Sequence, residues 1–228
     1  VSTTIKDNAI INNTVANDFL GRILGGGGIY CAGQYNTISG NLISGNRIEN
    51  RESQFHFEYA EGGGIWSGGG LIENNTIVSN SIKADGYWTG DHYVRGGGIY
   101  CDGPTIVRGN VVKDNHLFCE GGETESNLET SQAYGGGIYA PGSEISNNVV
   151  SGNVCIGDGG LPWSADFESA NGANGIACGG GIYAPGALLV NNLVNDNHSF
   201  GYGATADPYN LYPGDNTGGD GIARGGGI

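Results

Sequence analysis

Ile72-Glu73-Asn74-Asn75-Thr76-Ile77-Val78-Ser79-Asn80 places an aliphatic residue first, Asn fourth, a second aliphatic sixth and another Asn ninth. The same nine-residue block starts at Ile5, Ile38, Val107, Ile145 and Leu189. Its fourth place is always Asn: Asn8, Asn41, Asn75, Asn110, Asn148 and Asn192. Its ninth place is Asn13, Asn46, Asn80, Asn115, Asn153 and Asn197, and its sixth is Ile10, Ile43, Ile77, Val112, Val150 and Val194. β-branched residues at these places suit short strands with one buried face. Asn suits the bends that end them, because it tolerates left-handed backbone angles and bonds its own main chain. Stacked copies would also let the amides bond one another along the axis.

A second motif alternates with the block. Gly26-Gly27-Gly28-Ile29-Tyr30 recurs as Gly62-Gly63-Gly64-Ile65-Trp66, Gly96-Gly97-Gly98-Ile99-Tyr100, Gly135-Gly136-Gly137-Ile138-Tyr139 and Gly179-Gly180-Gly181-Ile182-Tyr183, and the chain stops on Gly225-Gly226-Gly227-Ile228. A unit repeated at this spacing signals a solenoid in which each copy contacts its neighbours. The glycines mark sharp bends or close backbone approach, and Ile plus the aromatic supplies a third strand. The pattern therefore predicts an all-β, three-sided parallel β-helix of about six rungs, forming a single domain over residues 1–228. Gly at 46 of 228 residues, together with so much Asn, would cost an α-solenoid heavily.

These residues resemble the right-handed parallel β-helix repeat proteins of bacterial cell surfaces and secretomes. Asn74-Asn75-Thr76-Ile77-Val78-Ser79-Asn80 and Ile38-Ser39-Gly40-Asn41-Leu42-Ile43-Ser44-Gly45-Asn46 are typical of such repeats. Gly-Gly-Gly-Ile is similar to the Gly-Gly-Ala-Ile repeat of polymorphic outer-membrane proteins and autotransporter passengers. The resemblance implies the fold and an extracellular or cell-surface bacterial location. It does not choose among the polysaccharide lyases, hydrolases, epimerases, adhesins and stalks built on that fold.

A formal net charge of −14, with nine Lys plus Arg, removes the basic footprint that nucleic acid and anionic membranes require. No apolar run approaches the roughly 20 residues of a membrane span, so direct membrane insertion is not expected. Five cysteines stand in no zinc spacing. Cys155 and Cys178 bracket one insertion, leaving a disulfide between them open. Cys31 and Cys101 share a repeat position two turns apart, about 10 Å, beyond disulfide reach.

Between each ninth-place Asn and the next triple glycine lies an insertion: 14–25, 47–61, 81–95, 116–134, 154–178 and 198–224. The insertions lengthen toward the C-terminus, so one edge of the rod should carry loops, the usual place for a binding face. They hold most of the acidic residues and many aromatics, among them Tyr59, Trp88, Tyr93, Phe118, Trp163 and Tyr202. Such aromatics either fold the loops onto the rod as a satellite core or contact ligand. The aromatics after the glycines form another stripe, Tyr30, Trp66, Tyr100, Tyr139 and Tyr183, which strand alternation turns outward. Such a stripe either stabilises the stack ring on ring or offers a platform for sugar rings.

The second and seventh places of the block hold no carboxylate pair of the kind glycosidic chemistry needs, so no catalytic residue is assigned. His92 beside Asp91, near Trp88, is the best loop-borne acid/base candidate. His116 and His198 match but sit two turns apart, too far for a shared metal, and no metal ligand is assigned. No cofactor is expected beyond calcium on acidic loops such as Asp158-Gly159-Gly160. The binding candidates are Tyr30, Trp66, Tyr100, Tyr139, Tyr183, Trp88 and Trp163. The chain starts and stops inside repeats, without caps, so it is expected to be a segment of a longer solenoid or a protomer stacking end to end with copies of itself. The expected function is a non-catalytic structural or adhesive rod. The alternatives are a polysaccharide lyase or hydrolase, or a glycan-binding module, using the long-loop edge.

Overall fold

The computed structural model describes residues 2–17, 23–53, 58–86, 92–121, 130–159, 174–203 and 220–228. Among them every regular element is a β-strand, and every strand pairs in parallel with its counterpart one repeat away. The repeats build five stacked sheets. The block forms sheet 1 (Thr4–Lys6, Asn36–Ser39, Gly70–Glu73, Thr105–Arg108, Glu144–Ser146, Leu188–Val190) and sheet 2 (Ala9–Ile11, Leu42–Ser44, Thr76–Val78, Val111–Lys113, Val149–Ser151, Leu193–Asn195). The Ile-aromatic pairs form sheet 5 (Ile29–Cys31, Ile65–Ser67, Ile99–Cys101, Ile138–Tyr139, Ile182–Tyr183). These three sheets enclose the main core. Ile38, Ile72, Val107 and Ile145 enter it from sheet 1, Ile43, Ile77, Val112 and Val150 from sheet 2, and Ile65, Ile99, Ile138 and Ile182 from sheet 5, all fully buried.

Both Asn columns point into the stack as amide ladders. Each Nδ2 donates to the Oδ1 one level on, at 2.9–3.1 Å from Asn8 through Asn192. The Asn13-to-Asn197 ladder runs at 2.8–3.0 Å. The same Oδ1 also accepts the backbone N–H of the preceding rung, as Asn115 does from Asn80. A further amide proton of Asn115 reaches back to the Ile77 carbonyl. Buried amides are thereby saturated, which turns an expensive desolvation into a lock on register.

The left-handed angle expected of these Asn falls one residue earlier. Asp7, Gly40, Asn74, Gly109, Asn147 and Asn191 turn the first corner, and Asn12, Gly45, Ser79, Asp114, Gly152 and Asp196 the second, with φ of 53–66°. The division of labour is steric: the corner residue takes the strained backbone, which frees the ladder residue to aim its amide inward.

The insertions are not plain loops. Each opens with a strand of sheet 3 (Thr14–Asn17, Arg47–Ser53, Ser81–Gly86, His116–Glu120, Val154–Asp158, His198–Tyr202) and closes with one of sheet 4 (Ile23–Gly25, Glu58–Glu61, His92–Arg95, Thr130–Tyr134, Asn174–Cys178, Gly221–Arg224). The two sheets face each other around a second core of Ile48, Ile82, Leu117 and Cys155 against Ala60, Val94, Ala133 and Ala177. A satellite core therefore exists, but small aliphatics build it. The aromatics Tyr59, Tyr93 and Phe118 alternate to the outer faces. Near the C-terminus the sheets close to backbone contact: a Cβ on Gly157 would lie 2.2 Å from the Ile176 carbonyl oxygen.

All five cysteines are free. The Cys155–Cys178 disulfide does not form, because Cys155 faces the second core while Cys178 shares the outward column of Tyr134 and Arg95. Cys31 and Cys101 are held two levels apart with Ser67 between them.

The triple glycine joins sheet 4 to sheet 5, and its members answer different constraints. Gly96 takes φ +65°, and a Cβ on Gly97 would lie 2.3 Å from the Gly136 carbonyl oxygen of the next level. One on Gly98 would press on Gly137 at 2.7 Å and on the Asn115 amide at 3.0 Å. Gly97→Ala should therefore abolish the cooperative denaturation transition. Gly142→Ala, whose Cβ meets nothing within 4 Å at a φ of +63°, should cost about 1–2 kcal/mol. By the same measurement Asn115→Ala, which strands two buried donors of Asn80, should cost at least about 3 kcal/mol, and exposed Asn8→Ala less than about 1 kcal/mol.

Candidate functional site

The bend at each triple glycine folds the outer face of sheet 4 toward the outer face of sheet 5, making a concave corner along the rod. On sheet 5 the aromatic stripe is continuous. Tyr30 stacks on Trp66 at 4.5 Å, Trp66 on Tyr100 at 5.9 Å, Tyr100 on Tyr139 at 5.2 Å and Tyr139 on Tyr183 at 5.6 Å between ring centroids. The spacing follows the strand repeat, and each pair contributes roughly 0.5–1.5 kcal/mol beyond its buried area. Only Tyr30, at 58% exposure, offers an open face, while Trp66 and Tyr100 are 8% and 5% exposed. The stripe is therefore covered for much of its length.

What covers it is the residue immediately before each triple glycine: Gly25, Glu61, Arg95, Tyr134, Cys178 and Arg224 form one outward column of sheet 4. Trp66 Nε1 donates to Glu61 Oε2 at 3.0 Å, and Arg95 Nη1 donates to Glu61 Oε1 at 3.1 Å. The Arg95 guanidinium lies 5.1 Å from the Tyr59 ring centre, 5.4 Å from Tyr93 and 5.5 Å from Tyr139. Its delocalised plane suits such aromatic surroundings. Its Nε is buried without an acceptor among the described residues. Tyr134 continues the cover over Tyr183 at 4.8 Å.

Glu61 is only 5% exposed, and burial lifts its pKa above the ordinary value, opposed by the Trp66 hydrogen bond, the Arg95 charge and the Tyr100 hydroxyl. Tyr100 donates to Asp102 Oδ1 at 3.3 Å and stands close enough to Glu61 to affect it. Burial, then the charges of Glu61 and Asp102, drive the Tyr100 pKa up, and burial pushes Tyr134 up to about 12. Both therefore stay neutral phenols able to donate. Since both Glu61 oxygens already accept, this carboxylate orients Trp66 and Arg95 rather than offering a proton.

Where Tyr30, Tyr59, Trp66 and Tyr100 converge with Glu61, Arg95 and Asp102, the corner opens into a cleft of about 630 Å³. That is the size range of small-molecule sites, and its lining of aromatic faces with a few fixed polar groups matches them too.

Of the residues marked as binding candidates, Tyr30, Trp66 and Tyr100 line this cleft, and Tyr139 and Tyr183 continue the stripe beyond it. Trp88 and Trp163 lie outside the described residues, as does Asp91. His92 turns into the second core at 2% exposure, so it does not face solvent as an acid/base group would. His116 and His198 occupy one sheet 3 column with Val154 between them. Among the described residues no three His, Cys, Asp or Glu side chains converge as metal ligands. Sequence reasoning missed Glu61, Arg95 and Asp102 as a group. The signal for Glu61 and Arg95 lay in the column directly before the glycines, outside the second and seventh places of the block, and Asp102 lies just after the sheet 5 strand Ile99–Cys101.

Because Glu61 titrates above its ordinary value of 4.5 and touches Trp66, acidification should change Trp66 emission with a midpoint above 4.5. The measurement is a fluorescence titration in a Trp88→Phe, Trp163→Phe background. The transition should vanish in Glu61→Gln, and a midpoint at or below 4.5 would contradict the arrangement described.

No protein-family model, no curated protein and no solved structure matches this chain, so the site is read from its own geometry.

Proposed function

We propose that the chain is a structural-adhesive β-solenoid, a non-catalytic rod of an extracellular bacterial surface protein or fibre, which binds saccharide in the corner cleft. The cleft carries the adhesive part of this reading. Tyr30 presents an open aromatic face at the end of a stack, and Glu61, Asp102, Tyr100 and Arg95 set polar groups around it. A sugar ring has the complementary make-up: an apolar C–H face for stacking and hydroxyls that both donate and accept. The ladders and the two continuous cores support the rod part, because they make stiffness a property of every level rather than of one domain. Cleavage of the bound saccharide is not favoured, since both Glu61 oxygens are engaged as acceptors.

The test is an oligosaccharide panel against the full chain, read by calorimetry or array. At least one oligosaccharide should bind, and Tyr30→Ala should weaken it by about tenfold while leaving the far-ultraviolet spectrum unchanged, the size expected for losing one aromatic stacking face. A panel without any binder, or binding indifferent to Tyr30, would end this reading. Reproducible chain cleavage would replace it with the lyase or hydrolase alternative.

A further inference from the structure

We propose that the cleft selects a saccharide bearing a free amine, such as a glucosaminyl residue, and rejects one bearing a carboxylate. This rests on the saccharide-binding reading above and names its ligand class.

The argument is a charge inventory of the cleft. Its described lining holds two carboxylates, Glu61 and Asp102, and one cation, Arg95. Arg95 is already committed: Nη1 bonds Glu61, and the guanidinium lies among the rings of Tyr59, Tyr93 and Tyr139. The one donor that Arg95 leaves without an acceptor, its Nε, is buried, so the carboxylate of a uronic acid would lose its hydration beside two like charges, Glu61 and Asp102. Asp102 is different. It is exposed, it holds the Tyr100 hydroxyl through Oδ1, and among the described residues no ion pair holds it.

An ammonium beside Asp102 gains a charge-assisted hydrogen bond, and the aromatic faces close by add attraction for the same cation. The surrounding field acts in the same sense. At a net charge of −14 the molecule repels polyanions at long range and draws in cations. Local partner and global field therefore favour one ligand class, and an acidic polysaccharide is the class they oppose.

Three oligomers of equal length distinguish the outcomes: glucosamine, its N-acetylated counterpart and galacturonate. They are measured by calorimetry against the full chain at a pH where the sugar amine is protonated. The glucosamine oligomer should bind roughly tenfold tighter than the N-acetylated one, as a charge-assisted bond implies, with galacturonate weakest. Asp102→Asn should remove that preference, while Asn retains an acceptor for Tyr100. Glu73→Gln, on sheet 1 and paired there with Arg108, deletes a charge elsewhere and should leave the preference intact. Galacturonate or the N-acetylated oligomer binding as tightly as the amine, or a preference that survives Asp102→Asn, would overturn the proposal. If none of the three binds, or if binding ignores Tyr30→Ala, the failure lies instead with saccharide binding itself.

Discussion

Two columns of asparagine amides, stacked at hydrogen-bond distance through the interior, hold every level of this solenoid at one register. A strand slipped by one residue would exchange its inner and outer faces, so patterned strands already resist slippage. The ladders add a polar cost: a misplaced level leaves Oδ1 without donors and backbone N–H groups without acceptors in a dry core. That cost explains why the amides, and not the corner residues before them, recur without exception. At the corners any residue able to reach φ near +55° suffices, and Asp, Asn, Ser and Gly all appear there.

Fixed register turns sequence positions into columns, and the columns make the cleft. Glu61 and Arg95 lie in consecutive repeats, yet they form an ion pair because the residue before each triple glycine always takes the same place. The close approach of Gly63 to Gly97 and of Gly97 to Gly136 keeps that bend tight enough to press sheet 4 onto the aromatic stripe. A buried ion pair seldom adds stability over a well-packed apolar substitute. With Trp66 on one oxygen and Arg95 on the other, this pair instead fixes how the indole and the guanidinium are oriented along the cleft.

Much of this was legible in the sequence. The block starts, both Asn columns, the inward Ile column and the outward aromatic stripe pair in the structure at the positions the repeat assigns them. The insertions were not legible as sheets. Their inner residues, such as Ala60, Ala133 and Cys155, are small and weakly patterned, because two sheets so close leave little room between them. Length variation hid the rest, since the strands sit at the ends of each insertion while the spacing between them differs among most repeats. Glu61, Arg95 and Asp102 escaped notice for a related reason: their columns do not repeat, the one before the glycines running Gly25, Glu61, Arg95, Tyr134, Cys178 and Arg224, and a reading for regularity passes over such columns.

The most direct test of the ladders as the organising constraint is hydrogen exchange of the asparagine side-chain amides, followed by NMR. The account predicts that Asn75, Asn80, Asn110 and Asn115 exchange only through global unfolding, with the same denaturant dependence as the core backbone amides, while exposed Asn8 exchanges freely. Interior side-chain amides exchanging as fast as that of Asn8 would contradict it.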